Sequence, residues 1–128
     1  MVVAGYQFMQ GANKVTLELP AGRADFEGES AVEGARRELL EETGYSAEEL
    51  VPLGPPLYLD TRSSWTRNFL FLALGCAKVQ EPEGSEEIDP ILIPLPEWIR
   101  ITQEELEEPL MVAATFRAIP HLRERGLL

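Results

Sequence analysis

Three glutamates raise the first chemical question. Glu38, Glu41 and Glu42 stand at i, i+3 and i+4. In a helix, at roughly 100° per residue, their carboxylates share one arc about 100° wide. Like charges at that spacing repel and destabilise a bare helix. A divalent cation removes the repulsion, and magnesium takes oxygen ligands from a few carboxylates, water and phosphate. A rigid acidic helix beside a loop is thus a platform for metal-assisted phosphate chemistry. The plainer reading is a solvated acidic face, since glutamate favours helices and charged side chains mostly face water.

The elements that would position these acids are legible nearby. Ser30 and Glu33 have capping-box spacing, and Gly44 sits where a left-handed C-cap residue belongs, so the spacing predicts a helix between them. Val32, Ala35 and Leu39 lie on one stripe and are its expected buried face. Residues 2–8 and the alternating 14–19 read as strands, with a turn-rich loop over 20–29. A short strand is expected at 57–59. The apolar run FLFLAL at 69–74 is expected to be a strand covered on both faces. An acidic loop over 80–87 precedes a strand over 88–95 interrupted by Pro90. A short helix carrying Trp98 is expected at 96–101, and an amphipathic helix at 109–119 with Pro109 in its first turn and Pro120 near its end. Strands around one strong helix, with another at the end, imply one α+β domain over 1–128: a mixed β-sheet sandwiched between α-helices.

Arg62 and Arg67 flank Trp65 in a polar segment. Arginine binds phosphate by paired hydrogen bonds, so both are candidate substrate-binding residues, while Trp65 could stack on a base or pack under a loop. His121 is expected at the surface with no role. The chain has 128 residues and a net charge of −11. That charge argues against a nucleic-acid polymer as partner, because such affinity rests on basic side chains facing phosphates. A small phosphate ligand still fits if cations lie between. No apolar run approaches the ~18 residues of a membrane span, and no basic residue precedes the apolar start as in a signal peptide. The single cysteine, Cys76, suits a reducing compartment, and a cytoplasmic location is expected.

The acids belong to a longer pattern. The stretch GRADFEGESAVEGARRELLEETGY, residues 22–45, resembles the Nudix box: Gly, five residues, Glu, seven residues, then Arg-Glu-apolar-x-Glu-Glu-x-Gly-apolar. Glu29 to Arg37 keeps the spacing of seven, and every fixed position from there through Gly44 matches. Six residues rather than five separate Gly22 from Glu29, an insertion that falls in the loop before the helix. LELPAG at 17–22 and SEEIDPILIPLPEW at 85–98 are similar to segments of ADP-ribose pyrophosphatases, although the Ser-Pro-Gly stretch common in those enzymes is absent from residues 60–65.

The resemblance implies a hydrolase that cuts the diphosphate bond of a nucleoside diphosphate derivative, such as ADP-ribose or a nucleotide sugar, with Mg2+, or Mn2+ in its place. It implies that Glu38, Glu41 and Glu42 hold the metal, joined by the backbone carbonyl of Ala21. Gly22, Glu29 and Arg37 would support the loop and helix, the last two as an ion pair. Glu41 and Glu42 would act in catalysis, with Glu86, then Glu87, as general base. The alternative is a Nudix-fold module that binds a nucleotide or a protein without turnover. The box begins early compared with most of the family, so N-terminal strands are expected to be missing. A homodimer is then expected to cover the open edge through Val2, Val3, Tyr6 and Phe8.

Overall fold

The computed structural model describes residues 1–9, 14–21, 28–59, 61–62, 66–83 and 90–128. Strands β1 (Val2–Met9) and β2 (Lys14–Glu18) form an antiparallel pair, and β7 (Ile91–Ile93) adds antiparallel to the start of β1, giving the order β2-β1-β7. Helix α1 (Ala31–Thr43) is followed by β3 (Tyr45–Ser46) and β4 (Glu49–Pro52), which pair with β6 (Ala77–Lys78) and β5 (Phe71–Leu74) respectively. Helices α2 (Leu95–Glu104) and α3 (Pro109–Glu124) close the chain. The result is the α+β arrangement implied by the sequence, with, among the described residues, three helices flanking small antiparallel sheets.

Two apolar clusters hold these layers. Ala4, Ile93 and Trp98 are buried together, with Val2, Leu17, Leu19, Ile91, Ile101 and Leu106 packed around them. Trp98 is thus a core residue. Its indole N–H, which burial would otherwise leave without a partner, donates to Thr115 Oγ1 at 2.9 Å and ties α2 to α3. The second cluster is Leu53, Ala118 and Leu122, with Leu70, Leu72, Leu74, Leu95 and Ala114 against it. Burial of Ala118 and Leu122 explains why α3 runs through Pro120 to Glu124 rather than stopping near 119. Proline removes one helical donor, but the apolar face continues past it.

Other expectations change at their edges. Residues 69–74 give a strand only from Phe71, all four of its residues are half-buried, and Phe69 is exposed under the Arg67 guanidinium, 5.5 Å from its ring centre. The strand expected at 57–59 reduces to one antiparallel bridge, Leu57 with Asn68. On α1 the buried residues are Gly34, Leu39 and Thr43, whereas Val32 is exposed. His121 is half-buried. Along β1, Val2–Ala4 pair with β7 and Gly5–Met9 pair with β2, and Val2 packs on the first core cluster.

Candidate active site

Helix α1 owes its start and end to local chemistry. Ser30 Oγ accepts from the Glu33 N–H, and the Glu33 carboxylate accepts from the Ser30 N–H, both at 3.2 Å. At the other end Gly44 has φ 76°, and its N–H donates to the Leu40 carbonyl at 2.8 Å. Thr43 Oγ1 donates to the Leu39 carbonyl and accepts from Tyr45 N–H, so a buried hydroxyl is satisfied where the chain turns. Arg36 adds a strap from the helix to the Ala47 carbonyl at 2.8 Å.

Arg37 is the centre of the acidic cluster. Its Nε and Nη2 donate to the two oxygens of Glu29 at 2.9 and 3.0 Å, a two-pronged pair. Its Nη1 donates to Glu38 Oε1 and to Glu41 Oε2, each at 3.0 Å. Hydrogen bonding to the guanidinium holds the Glu29 carboxyl below its ordinary range, and the same bonds, Glu29 first, raise the pKa of Arg37. The pair expected between residues 29 and 37 is therefore present as geometry, and it extends to two of the three helix acids.

Glu42 turns the other way. Its Oε2 accepts from the Ala21 N–H at 2.9 Å, which docks the loop after β2 onto the helix. The backbone at this point is further tied by Leu19 N–H, which approaches Met111 Sδ of α3 at 3.1 Å. Sequence reasoning reached Ala21 only as a carbonyl donor to metal; its N–H contact with Glu42 carries no sequence signal. Among the described residues no three potential ligands are gathered around one point as a metal site. Glu38 and Glu41 are turned onto Arg37, and Glu42 onto Ala21. The donor chemistry nevertheless suits a hard divalent cation, because these side chains offer carboxylate oxygen only.

A second loop meets the helix at its C-terminal end. The Val79 and Gln80 N–H groups donate to the Gly44 carbonyl at 2.9 and 3.2 Å, and the Glu83 N–H donates to the Glu41 carbonyl at 2.7 Å. A side chain at residue 44 would overlap the Gln80 carbonyl, so glycine serves both a left-handed turn and a close approach. The sequence showed the first role; the second depends on a segment some 35 residues away. This docked segment leads directly to the stretch containing Glu86 and Glu87. Those two residues, with Gly22 and Trp65, lie outside the described residues. Arg62 is exposed in the turn at 61–62, and exposed Arg67 is engaged with Phe69.

A family model described as NUDIX domain matches residues 6–122. Among solved structures, the chain is similar to one described as "Crystal structure of ADP compounds hydrolase". The TM-score is 0.83 at 24% identity, over 98% of this chain and 68% of that one. At that identity the likeness speaks for the fold alone. No curated protein matches the chain significantly.

Proposed function

The chain belongs to the Nudix family, and from that premise we propose that it is a hydrolase cutting the diphosphate bond of a nucleoside diphosphate derivative, ADP-ribose or a nucleotide sugar. One observation carries the reading: Glu38, Glu41 and Glu42 share a helix whose two adjoining loops are docked onto it by Glu42 and by the Gly44 and Glu41 carbonyls. A module that only binds would have no need to keep three mutually repelling acids. The name of the similar structure, a hydrolase of ADP compounds, supports the substrate class.

Glu38, Glu41 and Glu42, with the Ala21 carbonyl, would hold Mg2+ or Mn2+. Bound there, the ion would polarise the diphosphate, acidify water and offset charge on the departing phosphate. The chain's own part is positioning and proton transfer. Glu29 fixes Arg37, and Glu42 fixes Ala21, so helix and loop are held as one unit before substrate arrives. Glu86, or Glu87 beside it, takes the proton of water as its oxygen attacks phosphorus, and the bridging P–O bond breaks to release two phosphate products. Arg62 and Arg67 contribute phosphate contacts. The reading includes a homodimer. Val2 and Val3 of β1 are half-buried, and Phe116 and Val112 of α3, one turn apart and 75% and 36% exposed, add apolar surface for it.

Formation of phosphate monoesters from a panel of nucleoside diphosphate derivatives, read by phosphatase-coupled phosphate detection with and without magnesium, tests the proposal. Magnesium-dependent turnover of at least one is expected. Binding of a panel member without turnover would instead favour the non-catalytic module.

A further inference from the structure

We propose that Arg37 is an exchangeable counter-ion, which holds Glu38 and Glu41 in the metal-free protein and must surrender them for a divalent cation to bind. This rests on the reading of α1 as a metal platform.

The geometry divides the guanidinium into two functional edges. The Nε–Nη2 edge belongs to Glu29, through two bonds of 2.9 and 3.0 Å. Only Nη1 reaches the helix acids, at 3.0 Å to each. Releasing Glu38 and Glu41 therefore costs nothing at the Glu29 edge, and Arg37 need not swing away. The two edges also differ in access to water. The Glu29 side chain is 10% exposed and that of Glu38 16%, whereas that of Glu41 is 38%, so exchange opens at Glu41. A guanidinium stays charged at every ordinary pH. Its competition with a metal ion therefore cannot be relieved by losing a proton, and only displacement removes it.

The same arrangement accounts for two features that otherwise conflict. Three acids at i, i+3 and i+4 should destabilise α1, yet the helix is regular and fully capped. The donor set suits a divalent cation, yet its oxygens are not gathered for one. The Arg37 guanidinium bears on both: it offsets part of the repulsion by bridging Glu38 and Glu41, and it keeps those two turned aside. Once displaced it remains beside the site as a positive charge, so it lowers metal affinity even after exchange.

A residue that merely buttressed the acids would behave in the opposite way, because its loss would disorder the ligands and weaken metal binding. Arg37→Gln, which removes the charge and leaves a shorter amide with two N–H donors, separates the two. Calorimetric titration with Mn2+ and thermal unfolding with and without Mg2+, at constant ionic strength, provide readouts independent of turnover. The variant should unfold at lower temperature without metal, gain more from metal than the native protein does, and bind Mn2+ roughly tenfold more tightly. If it folds only when metal is supplied, the inference stands in its strongest form, with the metal replacing the counter-ion. Equal or weaker Mn2+ binding by Arg37→Gln, or failure to fold even in excess metal, would overturn it. Absence of metal binding by the native protein would be a different failure, that of the platform itself.

Discussion

Gly44→Ala perturbs the contact between the acidic helix and the segment that leads to Glu86. Gly44 has φ 76°, and an L-residue in the left-handed region costs about 1–2 kcal/mol. The added methyl would also overlap the Gln80 carbonyl oxygen, with the carbonyl carbons of Gln80 and Glu81 at 2.9 and 3.3 Å. A backbone carbonyl cannot step aside as a long side chain can. Relief requires lifting residues 79–83, which forfeits the bonds from Val79 and Gln80 to Gly44 and from Glu83 to Glu41. Each contributes about 1 kcal/mol net. The structure supplies its own control. Gly28 has φ 82° and, among the described residues, no atom within 4 Å of where an added methyl would stand, so against those residues Gly28→Ala carries the conformational cost alone. Urea unfolding should place Gly44→Ala about 2–3 kcal/mol below Gly28→Ala, given the number of bonds lost. Turnover of its folded fraction should fall as well, because the acidic loop loses its anchor. Equal destabilisation by the two substitutions would show that the docking of 79–83 contributes nothing.

Glu42→Gln should lower turnover by orders of magnitude while leaving the fold intact, since the amide oxygen can still accept from Ala21 N–H; full activity in a phosphatase-coupled assay, or activity of the native protein in excess chelator, would remove the metal assignment. Glu86→Gln should reduce the rate far more than Mn2+ affinity, and a silent Glu86→Gln beside an impaired Glu87→Gln would move the base by one residue. Arg37 holds the Glu29 carboxyl below its ordinary value of 4.5, so this group's contribution to stability is present above that value and is lost as pH falls through the lower folded-state pKa. The stability gap between native protein and Glu29→Gln, measured by urea unfolding from neutral pH downward, should therefore close in acid, whereas a constant gap would assign the benefit to packing. Light scattering across protein and salt concentrations should detect a dimer that tightens with salt, as expected for two chains of charge −11 meeting through apolar surface, and a monomer throughout would exclude it.

What could be read from the sequence was local. The capping box at Ser30, the C-cap at Gly44 and the i, i+3, i+4 acids each depend on neighbours within a turn or two, and all appear as expected in α1. Burial was harder to read, because it depends on what arrives from elsewhere. Hydropathy favoured Val32 for the inner face of α1, but that face is made by Gly34, Leu39 and Thr43, a small residue and a hydroxyl satisfied through Leu39 and Tyr45. The run FLFLAL promised full cover, yet Arg67 shields only one face of an exposed Phe69. Strands β3, β4 and β6 had no periodicity long enough to register, and their paired residues lie 19 or more positions apart.

The acids show why spacing alone gives a platform and not yet a site. Helical geometry places Glu38, Glu41 and Glu42 on one arc, but each carboxylate can rotate toward whichever positive group is nearest. Arg37 lies within the same helix and Glu29 pins it from the loop, so two acids turn inward to the guanidinium while the third turns to the Ala21 N–H. On the proposed exchange the cluster would have two states. One is the helix with Glu38 and Glu41 held by Arg37, and the other would be an open set of oxygens once a stronger cation competes. Glu29 links them, because it lets Arg37 release the acids without leaving its place. A protein that carried the three glutamates without residues 29 and 37 would keep the ligands but lose the means of folding around them unoccupied.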